Sequence, residues 1–187
     1  TSLYESASFQ WLWLEQQQAA GVLGPDTDQF NASHESLVAR FGDICAPAED
    51  VHFAADPENP EDYATVETLA WAAREAGLGA HFTALSQIGL TPEGQFADDA
   101  SRVIGTLFKL YPWEDMLRDD FAAHLQSSGT RFIEPPWKAV LSNKGILPLL
   151  WERHPGHPNL LETYFEDDPK ASGLGDSYAR KPLFSRE

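Results

Sequence analysis

The chain has 187 residues and carries 29 Asp and Glu against 13 Lys and Arg, a formal net charge of −16. Such a field repels a phosphate backbone and an anionic bilayer, which excludes nucleic-acid and membrane-surface binding as its main role and leaves room for a cationic partner. With 42% hydrophobic and 12% aromatic residues, including six Trp, the composition describes a packed domain, or one and a half, rather than a disordered tail.

Thr1-Ser2-Leu3-Tyr4-Glu5 reads as a helix already under way, with Ser2 and Glu5 at capping-box spacing. Residues 5–19 continue it, apolar on more than one side through Phe9, Trp11, Leu12, Trp13 and Leu14. A Gly/Pro/Asp turn follows at 21–28. Phe30, His34, Leu37, Val38 and Phe41 then mark one face of an amphipathic helix.

From residue 51 the pattern alternates. Val51 to Ala55 reads as a strand, and Asn59, Pro60, Glu61 and Asp62 supply a cap, a first-turn Pro and first-turn acids. Val66, Leu69, Ala70 and Ala73 form the buried stripe of that helix, which ends near Gly77. Strands are expected at Ala80 to Leu85 and within Arg102 to Leu110, so the sheet is expected to be parallel with right-handed crossovers. Pro112 to about Leu125 reads as a helix, Arg131 to Ile133 as a short strand, and 137–141 and 144–153 as helices. His154 to Pro158 is a rigid loop, Asp167 to Gly175 a linker, and Tyr178 to Leu183 a last strand. A chain that starts without Met and stops just past a strand reads as an internal piece of a longer protein.

The apolar run from Gly145 to Trp151 is too short to span a bilayer, and Thr1 to Glu5 lacks the basic start of a signal peptide. Cys45 is alone, so neither an internal disulfide nor a thiolate metal cluster is available. A cytoplasmic location is expected. Gly-rich phosphate loops and a nucleophile elbow are absent. His154 and His157, three apart in a Pro/Gly loop, read as a turn rather than a metal site.

Glu61 and Asp62 begin a helix just after a strand, at the edge where open α/β sheets bind ligands. First-turn acids also stabilise the helix dipole without any ligand, so both readings stand. Glu114 and Asp115 repeat the arrangement beside Trp113. Lys144, ahead of an apolar run, and Lys181, in the last expected strand, suit either an ion pair or a nucleotide phosphate.

Several segments together resemble the glutathionylspermidine synthase family of ATP-grasp carbon–nitrogen ligases. They are Thr1-Ser2-Leu3-Tyr4-Glu5-Ser6, Phe108-Lys109-Leu110-Tyr111-Pro112-Trp113-Glu114 and Phe132-Ile133-Glu134-Pro135-Pro136-Trp137. The likeness continues through 141–151 (Leu-Ser-Asn-Lys-Gly-Ile-Leu-Pro-Leu-Leu-Trp), the His154 to Pro158 loop and Arg180-Lys181-Pro182-Leu183-Phe184-Ser185-Arg186-Glu187.

The resemblance implies an α/β fold: a Rossmann-like pre-ATP-grasp three-layer α/β/α lobe with flanking helices and the start of an ATP-grasp domain. The expected divisions are a helical segment at 1–48, the Rossmann-like domain at 49–140 and the ATP-grasp beginning at 141–187. It implies ATP-dependent amide formation with Mg2+, joining a small-molecule carboxylate (glutathione or peptide-like) to a polyamine-like amine. Lys144 and Lys181 match ATP-holding lysines, while Glu61, Asp62, Asp115 and Thr1 fall at or beside substrate positions. The metal-binding acids of the family would precede Thr1 and its lid would follow Glu187, so the chain alone is expected to be inactive, with no catalytic or metal-ligating residue of its own. The rival reading is a non-catalytic module that binds a polyamine or cationic peptide.

Overall fold

A computed structural model of the chain describes residues 9–28 and 32–184. Thr1, the expected Ser2/Glu5 capping box, the opening of the first helix and Phe30 lie outside the described residues.

The first described helix, α1 (Gln10–Ala19), buries only Leu14. Phe9, Leu12 and Trp13 stay exposed, as expected of a segment apolar on more than one side. The second, α2 (Ser33–Ile44), places Phe41 in the core with Leu37 and Val38 packed beside it, the face read from the sequence.

At the centre lies β1 (Asp50–Ala55), in which every residue from Val51 onward is buried. A strand covered on both faces must be apolar on both, and this is the pattern of a parallel sheet. After it, α3 (Pro60–Glu75) starts where Asn59 Oδ1 accepts the backbone N–H groups of Glu61 (3.1 Å) and Asp62 (3.3 Å). Pro60 forfeits no bond there, because a first-turn N–H has no helical partner. The helix ends at Ala76, and Gly77 turns the chain at φ +83°, a conformation that side chains resist.

Next come β2 (Gly79–Ala84), a small hairpin of β3 (Gly89–Leu90) and β4 (Phe96–Ala97), then β5 (Thr106–Lys109) and β6 (Arg131–Ile133). The four longer strands form one sheet in the order β2-β1-β5-β6, all parallel. The expected α/β class and parallel sheet are therefore present. Val51, Phe53 and Ala55 turn one face toward α2 and α3, joined there by Phe82, Phe108 and Ile133. On the opposite face Ala54 and Leu107 meet Phe96, Ile104 and Phe132. The hairpin and short helical turns cover that face.

Three expected elements differ. The strand foreseen within 102–110 is confined to β5, because residues 98–102 form a turn closed by the Asp98 N–H to Arg102 carbonyl bond, with Ser101 at φ +61°. The helix foreseen from Pro112 to Leu125 shrinks to α4 (Trp113–Met116) and a 3-10 turn at Ala122–His124. Asp119 interrupts it by accepting the Phe121 N–H at 3.2 Å, a local bond that competes with helix. The strand foreseen from Tyr178 to Leu183 does not form: among the described residues, 178–183 pair with no strand. The hairpin was not foreseen, since two-residue strands leave no periodicity to read.

The chain divides into two compact units, Thr1–Tyr111 with Asp115–Glu134, and Pro112–Glu114 with Pro135–Glu187. The second holds α5 (Ala139–Ser142) and α6 (Ile146–Arg153), neither of which buries a residue fully. Among the described residues no helix is long and apolar enough to cross a membrane.

The amino-terminal edge of the sheet is tied by charge. His52 Nε2 lies 3.2 Å from Asp98 Oδ2, which also accepts Arg102 Nε at 2.7 Å. Arg102 Nη1 reaches His81 Nδ1 at 3.0 Å, and His81 Nε2 reaches Asp50 at 2.7 Å. Beside this chain, Glu49 holds Arg131 at 2.7 Å and accepts from Thr106. Burial raises the Asp98 carboxyl, but the backbone and side-chain bonds from Arg102, with His52, outweigh it and bring its pKa down to about 2. For His52 burial dominates over the Asp98 carboxylate, so its pKa falls below the ordinary 6.5.

The sign of the linkage follows. Folded His52 stays neutral where the unfolded side chain takes up a proton, so stability is lost as pH falls through about 6.5. Melting temperatures measured from pH 8 to pH 5 should decline below that point. The slope should flatten in His52→Gln, which keeps a donor for Asp98 and cannot titrate.

Candidate functional site

The strand order reverses beside β1: the chain moves outward from it to β2, then returns to its other flank with β5 and β6. In open parallel sheets such a switch point leaves a crevice outside the carboxyl ends of the two strands, and ligands bind there. Here those ends are Ala55 and Lys109, tied by the Leu110 N–H to Ala54 carbonyl bond at 2.8 Å. The segments leaving them carry three of the residues marked from sequence. Exposed Glu61 and half-buried Asp62 open α3 after β1, and exposed Asp115 lies in α4 after β5. The fold thus brings all three acids to one edge of one sheet.

The cap explains how Glu61 and Asp62 are oriented. Their backbone N–H groups are fixed by Asn59, and among the described residues their carboxylates take part in no hydrogen bond or ion pair. Asp115 acts on Tyr111, whose hydroxyl donates to Asp119 Oδ2 at 3.4 Å. Burial, then the negative charges of Asp119 and Asp115, raises the pKa of Tyr111 above its ordinary value and keeps its proton on.

Behind this edge, on the sheet face opposite α3, a cavity of about 400 Å³ opens. Leu85, Ile88, Phe96, Leu107, Phe121 and Phe132 make most of its wall, and Ser86, Lys109, Tyr111 and Asp119 are its polar groups. Lys109 is only 6% exposed, and its Nζ donates to the Tyr111 carbonyl at 2.6 Å. Sequence reasoning passed over Lys109, although a lysine inside the strand Thr106-Leu107-Phe108-Lys109 is the same signal that drew attention to Lys144. Its side chain follows Leu107 onto the cavity face because strand residues alternate.

Lys144 and Lys181 lie in the second unit. Lys144 stands between α5 and α6, half-buried, and Lys181 is exposed. The backbone N–H of Lys144 donates to the Leu183 carbonyl at 2.9 Å, so the segment carrying Lys181 runs beside the Lys144 turn. The structure therefore brings these two segments together. Asn143 Oδ1 accepts the Gly145 N–H at 2.8 Å, and a Cβ built on Gly145 would lie 2.9 Å from that oxygen and 3.3 Å from Leu183 Cδ2. Where the strand was expected, the described segment is held by this crossing bond and by an ion pair from Arg180 to Glu166 at 2.6 Å. Among the described residues no group of three or more His, Cys, Asp and Glu side chains could hold a metal ion.

Comparison with known proteins decides the lineage. The family model described as glutathionylspermidine synthase preATP-grasp matches residues 1–187. The chain belongs to the glutathionylspermidine synthase family. It is 40% identical over its whole length to a putative acid–amine ligase of Haemophilus influenzae, and spans 47% of that relative. It is 28% identical to a trypanothione synthetase of Crithidia fasciculata and 30% identical to the bifunctional glutathionylspermidine synthetase/amidase of Escherichia coli K12. Those matches cover 76% and 73% of this chain and a quarter of each relative. The chain spans about half the length, or less, of these relatives.

The turn at Gly145 supplies a direct check. Gly145→Ala puts a methyl group against Asn143 and Leu183, which must break or bend the Asn143 bond. The second unit should lose about 1 kcal/mol of stability in denaturant titration. Gly42→Ala, where a Cβ meets nothing within 4 Å, should lose none of it by this route.

Proposed function

We propose that the chain is the preATP-grasp portion, with the opening of the ATP-grasp domain at 141–187, of an ATP-dependent ligase joining a carboxylate to an amine. The observation that carries this reading is the bond from Lys144 N–H to the Leu183 carbonyl, supported by the family membership. It sets two lysine-bearing segments side by side, and a polyphosphate is bound by cations so grouped. Gly145 fits the same purpose, since a side chain there would crowd the turn.

In this reading Lys144 and Lys181 donate to the phosphates and adenine side of ATP. The carboxylate substrate, glutathione or peptide-like, takes the γ-phosphoryl group. ADP is left behind; the amine, having shed a proton to expose its lone pair, attacks the carbonyl carbon, phosphate leaves, the nitrogen loses a second proton to solvent, and an amide forms. Magnesium, when bound, shields the phosphate charge; among the described residues this chain offers no cluster to hold it. Glu61 and Asp62 attract the polyamine-like cation to the carboxyl end of β1, and Asp115 meets the other substrate beside β5. Thr1, outside the described residues, keeps the substrate-side role that the resemblance gives it.

The net charge of −16 favours one second reading, a non-catalytic module that captures a polyamine or cationic peptide. Nucleotide binding separates the two. In the full-length protein, Lys144→Met and Lys181→Met should each weaken ATP binding about tenfold or more, from a charge-assisted contact of roughly 1.5–3 kcal/mol. Unchanged ATP affinity with a lowered melting temperature would make both lysines structural and leave the capture module standing. The 187-residue chain alone should show no magnesium-dependent ATP turnover above background. Turnover that Lys144→Ala abolishes would refute that.

The acids have their own test. Glu61→Gln with Asp62→Asn should raise the KM for the amine ten- to hundredfold and leave ATP binding alone, at about 1 kcal/mol per partly exposed acid. A stability loss of a few tenths of a kcal/mol without a kinetic effect would assign them to the helix dipole only.

A further inference from the structure

We propose that the cavity behind the carboxyl edge of the sheet is a binding site for an uncharged aromatic molecule the size of a fused ring pair. The cavity lies wholly within the larger unit, apart from the acids at the start of α3 and from the lysines of the second unit. It goes beyond the ligase reading.

Size and wall point to that occupant. The cavity measures about 400 Å³, at the lower end of the roughly 300–1,000 Å³ in which small molecules bind. At the roughly 30 Å³ that each molecule of liquid water occupies, it holds about a dozen non-hydrogen atoms, the size of a naphthalene with a single substituent. Leu85, Ile88 and Leu107 supply aliphatic wall, and Phe96, Phe121 and Phe132 supply rings. Phe96 stands edge-on to the other two, at centroid separations of 6.4 and 6.1 Å, so rings at differing angles border the space. Edge-to-face and offset contacts between rings add attraction beyond the area buried, and an aliphatic body forgoes it.

The polar groups of the wall exclude the alternatives, because they are engaged within the fold. Lys109 Nζ donates to the Tyr111 carbonyl at 2.6 Å, and the Tyr111 hydroxyl donates to Asp119 Oδ2 at 3.4 Å. Asp119 Oδ1 accepts the Phe121 N–H at 3.2 Å. A charged or many-hydroxyl ligand would therefore exchange its water for a wall of hydrocarbon and for groups already bonded to one another. An uncharged ring system loses nothing on entry, and its burial is favourable in proportion to its area. Ser86 is exposed at the rim, where a lone hydroxyl on the ligand keeps its contact with water.

The test is titration calorimetry on the 187-residue chain and on the full-length protein. The probes are naphthol, its saturated analogue decahydronaphthol, and the charged naphthoate and naphthylmethylamine, all substituted at the same ring position. Naphthol should bind both proteins saturably, roughly threefold or more tightly than the saturated analogue. It should bind about tenfold or more tightly than either charged compound. Leu125→Trp, which fills the cavity from its wall, should remove naphthol binding. Ile88→Phe fills it from another side and should weaken binding about tenfold, which keeps the test decisive where Leu125→Trp fails to fold. No naphthol binding, equal binding of the saturated or a charged analogue, or binding unchanged in a folded variant would each overturn the proposal. Binding by the 187-residue chain that the full-length protein lacks would overturn it too, since the remainder of the protein would then fill the cavity. None of these outcomes bears on ATP binding at Lys144 and Lys181, so the two readings stand or fall separately.

Discussion

Everything in the larger unit depends on burying β1 from both sides. A strand whose five residues from Val51 to Ala55 are all closed to water can satisfy its backbone only through two neighbouring strands and its side chains only through two covering layers. β2 and β5 meet the first demand in parallel register. The α2 and α3 helices meet the second on one face, with Phe53 between Phe41 and Phe108 at about 6 Å from each ring. On the other face the hairpin and the turns around Phe96 and Ile104 do so. Parallel pairing then forces every strand to leave at the same edge, and that geometric consequence assembles the acids and the cavity.

The two edges have opposite characters. At the amino edge, charges are spent on one another: Asp50, His81, Arg102, Asp98 and His52 form a continuous chain, and Glu49, Arg131 and Thr106 form a second. At the carboxyl edge Glu61, Asp62 and Asp115 face outward. This asymmetry is electrostatic before it is functional. Groups whose charge is neutralised within the fold stabilise it, whereas outward-facing carboxylates on a chain of net charge −16 repel one another and favour a cation.

Much of this was legible in the sequence because local signals and tertiary demands agree. Val51 to Ala55 is apolar throughout, and Asn59-Pro60-Glu61-Asp62 combines three helix-start signals at one place. The stripe of Val66, Leu69, Ala70 and Ala73 has helical spacing, and all four positions are buried. Elements set by single side chains were not legible. Asp119 breaks a helix with one hydrogen bond, and Asp98 organises the turn before β5 through partners at 100 and 102 and at 52. Composition shows that such residues are polar and says nothing of which bond they choose. The cavity was invisible for the same reason, since its walls come from residues 85 to 132 and no periodicity links them. Lys109 had a signal that could have been used, a cation inside an apolar strand, yet its meaning depends on the face it occupies.

The cap at Asn59 has a consequence for tolerance to sequence change. Because its side chain satisfies the backbone of Glu61 and Asp62, the helix start is held by a residue outside the pair of acids. The identity of positions 61 and 62 is thereby uncoupled from whether the helix begins there. Either side chain can be exchanged at little structural cost, so the scaffold can vary the charge presented at this edge while keeping the edge itself fixed. Asn59 is the position where that freedom ends.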